Sequence, residues 1–140
     1  EDEVYMFGGM HCIWRYIDNN DNNFSKQVYK YNVSNNTWIS LEDMPTYLVE
    51  FSLVQSNDVI LLIGGMIVTE NKPGKPIYTP NTVIYAFDYV NNFWTSVDKY
   101  SYNTAGGGCA ALYDDLLFFI TLDYNSVYNN VWVKSLLDFC

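Results

Sequence analysis

The side chains able to do covalent or metal chemistry are few: one histidine, His11, and three cysteines, Cys12, Cys109 and Cys140. A His-pair copper site or a zinc site would need a second imidazole, so neither is encoded here and no metal or cofactor is expected. His11 and Cys12 are sequence neighbours. In a strand-end loop their side chains point apart, and no third group is placed to orient them, so a Cys/His nucleophile pair is not supported. An odd cysteine count leaves one thiol free or paired outside the chain. Cys109 falls in an apolar run and is expected to be buried. Cys12, in a loop, and Cys140, at the end, could each form a bridge in an oxidising compartment.

The run Asp18-Asn19-Asn20-Asp21-Asn22-Asn23 is similar to the start of a calcium loop. It departs where the geometry matters: the sixth position is Asn23 rather than Gly, and the twelfth is Tyr29 rather than Glu. A weak cation site and a plain solvated loop both stay open, with the solvated loop as the default. Gly106-Gly107-Gly108 leads into a strand, so it offers no helix N-terminus to an anion. Asn23-Phe24-Ser25, Asn32-Val33-Ser34 and Asn35-Asn36-Thr37 are glycosylation sequons at Asn23, Asn32 and Asn35. The chain is rich in asparagine, serine and threonine, so sequons arise by chance. Asn32 and Asn35 flank one turn too closely for both to be occupied.

Composition narrows the classes. The net charge is −9, from 16 acidic and 7 basic residues, which disfavours binding to a phosphate backbone. Hydrophobic residues make up 49% and aromatic residues 18%, far from a disordered composition. The longest apolar run, Val59 to Val68, is too short to span a bilayer and contains two glycines. Few lysines beside many tyrosines and asparagines tilt the reading toward a secreted or luminal protein; the asparagine excess equally fits an AT-rich genome.

What must position any site is a repeat. Phe7-Gly8-Gly9-Met10 recurs as Ile63-Gly64-Gly65-Met66, and Tyr31 with Trp38 recurs as Phe87 with Trp94, all at an offset of 56 residues. Each copy reads as short β-branched and aromatic runs bounded by Asn, Gly and Pro. The first holds Val4–Gly9, Val28–Val33 and Thr37–Leu41; the second holds Val59–Gly65, Val83–Asp88 and Phe93–Val97. Glu50–Gln55 lies between them. A third copy holds Cys109–Tyr113, Leu116–Ile120 and Val131–Ser135, with Thr121-Leu122 in place of the diglycine. No segment keeps a helical period.

The order strand, diglycine strand, long loop, aromatic strand, tight turn, tryptophan strand resembles the kelch repeat of β-propellers across nearly the whole chain. The resemblance rests on Gly8-Gly9, Gly64-Gly65, Tyr31 with Trp38, Phe87 with Trp94, and Leu41-Glu42-Asp43-Met44-Pro45. It implies an all-β chain of four-stranded antiparallel blades. The glycines would allow close approach or positive φ, and the tryptophans would fill gaps between blades. Residues 1–41 are expected to form a partial blade, 42–98 a full blade and 99–140 a partial, divergent one. Ten expected strands make about two and a half blades, short of the ~4–8 that close a propeller. The ring is therefore expected to be completed by missing blades or by other chains.

The resemblance also places function on the loop face, in Met10–Gln27, Met66–Thr82 and Leu122–Asn130, with the connections Glu42–Leu48 and Asp98–Ala105. Candidate binding residues there are His11, Trp14, Arg15, Tyr16, Tyr47, Lys72, Lys75, Tyr78, Tyr100, Tyr102 and Tyr124, chosen because Tyr, Trp and Arg dominate interface energetics. Packing of these aromatics against their own blade tops is the competing reading. The function expected is a non-catalytic platform or scaffold for protein partners. One alternative is a structural unit, secreted and glycosylated, of an assembly completed by other chains. Another is part of a galactose-oxidase-like enzyme, whose two copper-binding histidines this segment cannot supply alone.

Overall fold

A computed structural model describes residues 3–10, 24–70, 77–100, 108–121 and 130–139. Among them the chain forms β1 (Val4–Met10), β2 (Phe24–Asn32), β3 (Thr37–Leu41), β4 (Leu48–Ser56), β5 (Val59–Glu70), β6 (Ile77–Pro80), β7 (Val83–Asp88), β8 (Phe93–Lys99), β9 (Gly108–Tyr113), β10 (Leu116–Thr121) and β11 (Asn130–Ser135). A 3-10 turn, Leu136–Phe139, follows. The strands pair antiparallel in three sheets: β1-β2-β3, then β4-β5-β7-β8 with β6 on the far end of β5, then β9-β10-β11.

The hairpin turns follow from side-chain chemistry. Asn36, Asn57, Asn92 and Asp114 all adopt positive φ, between 47° and 58°, a conformation that short polar side chains tolerate best. Asn32 accepts from the backbone N–H groups of Ser34 and Asn35, and Asp88, its repeat equivalent, accepts from Val90 and Asn91. The repeat thus extends to the hydrogen bonds of its turns.

The sheets stack face to face. Alternate residues of β5 point to opposite sides: Ile60 and Leu62 join Val28, Met44, Leu48 and Phe87 in one core, while Leu61 and Ile63 join Ile84, Tyr100, Leu117 and Phe119 in the other. The middle sheet is therefore covered on both faces. Polar clasps fasten the layers. Ser52 on β4 donates to the Gly108 carbonyl at 2.8 Å and accepts from the Ala110 N–H at 3.3 Å. Glu42, between the first two sheets, donates its N–H to the Asn92 side chain at 2.8 Å and accepts from the Trp94 indole at 3.1 Å.

All four diglycine residues have positive φ. Gly64 is also sterically required, since a Cβ there would lie 2.5 Å from Cζ of Phe119 in the third sheet. Thr121 occupies the corresponding place on β10 and is fully buried.

Several expectations need correction. The segment Met66–Thr82 is not a loop throughout, because β5 continues to Glu70 and pairs with β6. Met66-Ile67-Val68-Thr69 is as β-prone as the residues before the glycines, so the strand resumes beyond them. Likewise β2 begins at Phe24, inside the expected loop Met10–Gln27. Among the described residues Trp38 contacts Tyr31 and is 52% exposed, because β3 presents it on the face of the first sheet turned away from the second. Cys109 is exposed rather than buried, since the alternation of β9 turns Gly108, Ala110 and Leu112 toward the second sheet and Cys109 away from it.

A salt link crosses the outer part of the second and third sheets. Lys134 on β11 donates to the Asp98 carboxylate on β8 and holds its pKa below the usual value, helped by the Lys99 N–H. A lowered folded-state pKa means stability that is present at neutral pH and is lost as pH falls through that value. Wild type is thus expected to be more stable than Asp98→Asn near neutrality, with the difference disappearing in acid. Urea titrations of both proteins across that range check it; a difference independent of pH would mean the link contributes nothing.

Candidate functional site

A cleft of about 520 Å³ opens between the first and second sheets at the diglycine end. Phe7 and Gly9 come from β1, Phe24 from β2, Leu48 to Phe51 from β4, Met66 from β5 and Tyr78 from β6. Local backbone geometry shapes it. The β4–β5 register is unbroken from Val49 opposite Met66 to Phe51 opposite Gly64, and between these pairs Glu50 has a φ of 57°. Gly65, at φ 79°, lets β4 approach closely: a Cβ on it would come within 2.4 Å of the Val49 carbonyl. Exposed Glu50 stands beside the apolar lining.

The rim opposite is aromatic. Tyr78 meets Phe24 edge to face, with ring centroids 6.1 Å apart, and is 39% exposed. Phe7 lies deeper, packed edge-on against Phe87 and Trp94. The arrangement can accept an apolar side chain and hold one charge near it. Among the described residues no three His, Cys, Asp or Glu side chains gather as a metal site would require. No helix among them is long and apolar enough to cross a membrane.

Of the candidate binding residues, Tyr78 lines this cleft, on a strand rather than a loop. Tyr47, next in sequence to the cleft residue Leu48, is half-buried, and its carbonyl accepts from the Val68 N–H at 3.0 Å. Tyr100 is a core residue, 2% exposed, packed on Phe119 and Trp132 and donating its hydroxyl to the Asn81 carbonyl. It cannot also meet a partner. Asn32 and Asn35 sit at the β2–β3 turn, where Thr37 donates to the Asn35 side chain at 2.5 Å. His11, Cys12, Trp14, Arg15, Tyr16, Asn23, Lys72, Lys75, Tyr102, Tyr124 and Cys140, with the Asp18–Asn23 run, lie outside the described residues.

Sequence reasoning missed Phe24, Leu48, Glu50, Phe51 and Met66 as cleft residues. They stand in apolar strands, and nothing in their spacing separates a groove wall from a core. The repeat held one usable signal: the residues just past each diglycine lie at one end of adjacent sheets.

Together the stacked sheets, the repeated diglycine strands and the uncovered outer faces define an all-β propeller fold without a closed ring. Comparison with known proteins agrees. No protein-family profile matches the chain. It is 23% identical, over 127 aligned residues, to the cowpox virus protein "Kelch repeat and BTB domain-containing protein 2", covering 83% of this chain and 21% of that one. Among solved structures it resembles that of YjhT, with a TM-score of 0.57 at 10% identity, over 69% of this chain and 29% of the other. The chain thus spans about a fifth of the length of the curated relative it matches.

Proposed function

We propose that this chain is a non-catalytic part of a kelch-like propeller that binds a protein partner in the cleft between its first two sheets. The observation that carries the reading is the lining itself: Phe7, Phe24, Leu48, Phe51, Met66 and Tyr78 around an open groove, with Glu50 on its edge. Such a groove suits an apolar anchor residue, and the net charge of −9 favours basic residues on either side of that anchor. The likeness to a kelch repeat protein supports a repeat scaffold over an enzyme. This places the binding surface partly on strands, nearer the sheet ends than the loop tips.

Tyr78→Ser tests it. Tyr78 is exposed enough for its loss to leave folding intact, while a buried aromatic contact at an interface centre is worth about 2 kcal/mol or more. A partner captured by the full-length protein should lose at least roughly tenfold in affinity for the variant, with the unfolding midpoint unchanged. Undiminished binding by both Tyr78→Ser and Met66→Lys would refute the site.

A further inference from the structure

Among the described residues, the non-glycine positions with positive φ are Asn36, Asn57, Asn92, Asp114 and Glu50. All but the last are short polar residues at hairpin tips, where this conformation is easily reached. Glu50 fits neither condition. It lies inside β4 at φ 57°, with Val49 paired to Met66 before it and Phe51 paired to Gly64 after it. Left-handed backbone crowds the Cβ of such a residue against a carbonyl oxygen, and Gly or Asn would hold the same shape at less cost. The irregularity falls at the cleft. Leu48, Val49, Glu50 and Phe51 are consecutive in one strand, and all of them line it. Strict alternation would turn every second one away. Among the described lining residues Glu50 alone is charged, and it is exposed. Strain of this kind concentrates at ligand clamps, where a particular side chain must be held in one place.

We propose that Glu50 is the specificity residue of the cleft: its carboxylate takes a lysine or arginine of the partner protein, placed next to the apolar residue that enters the groove. This rests on the reading of the cleft as a partner site and adds which partners the site accepts. The long aliphatic stem of either basic residue suits the apolar lining, while its charged head meets the carboxylate at the edge. The chain's charge of −9 draws any basic segment toward it, without choosing among them. Glu50 makes the choice, because a single charge beside an apolar groove fixes where along the partner the basic residue must stand. An acidic residue at that place would meet a like charge and be rejected.

Selection of random short peptides displayed on phage, against the full-length protein, tests this. Peptides held by the cleft should carry an aromatic or large aliphatic residue beside Lys or Arg, and should be lost on Tyr78→Ser. Glu50→Gln should bind them roughly fivefold more weakly and with less dependence on salt. Glu50→Lys should select peptides with Asp or Glu in the basic position. Glu50→Asn separates binding from folding. Its urea midpoint should equal or exceed that of wild type, since Asn tolerates the same φ, while its affinity for the peptides falls. A lower midpoint would mean that Glu50 serves the fold, and would overturn the assignment. So would Tyr78-dependent peptides that lack a basic residue, or equal binding by wild type and Glu50→Gln. Peptides indifferent to Tyr78→Ser, or none selected at all, would instead remove the cleft reading on which the assignment rests.

Discussion

Alanine at Phe119 is expected to lower the unfolding free energy by about 3–5 kcal/mol, the largest single loss among the described residues. The ring is fully buried between the second and third sheets. It meets Tyr100 at 5.4 Å between centroids and lies against two positions where any Cβ would strike it, Gly64 and Gly108. Removing it leaves a void that backbone on both sides cannot collapse to fill. Urea unfolding measures the loss; a cost below about 1 kcal/mol would mean the two sheets are not packed this way. The complementary change is Gly64→Ala. It places a methyl 2.5 Å from the ring at a φ of 79°, combining a clash with backbone strain of about 1–3 kcal/mol. Phe119→Leu in that background should relieve the clash but not the strain. The two substitutions together should therefore cost less than their sum.

The second large effect is an asymmetry between two residues that the repeat makes equivalent. Trp94→Ala should cost about 3 kcal/mol and Trp38→Ala under about 1 kcal/mol, measured in dilute, monomeric protein. Trp94 packs on Phe7 and Phe87 and donates to the Glu42 carbonyl, so its loss opens the joint between the first two sheets. Trp38 touches Tyr31 and solvent. Equal costs would mean that something covers the first sheet even in the monomer.

Much of the fold was legible because its signals are local. Asn and Asp at the hairpin tips, β-branched runs between them and glycines at a fixed offset require only neighbouring residues to be read. What failed was also physical. Met66 to Glu70 looked like loop because a diglycine ordinarily ends a strand, yet β6 supplied a partner and the strand went on. Tyr100 looked like a binding residue because it follows a strand end, yet Asn81 offers its carbonyl inside the core. The cleft was not legible, since Phe24, Phe51 and Met66 are ordinary strand residues until two sheets are set side by side.

By itself the sequence determined the repeat, the strands, their turns and, through the two-residue period, which side chains share a face. The tertiary structure alone decided what lies against each face. It covered Trp94 and left Trp38 open, turned Cys109 outward and made a groove of Phe24, Phe51 and Tyr78. The reason is that alternation along a strand is a property of one chain segment, whereas burial depends on the neighbouring sheet, whose position no single repeat encodes.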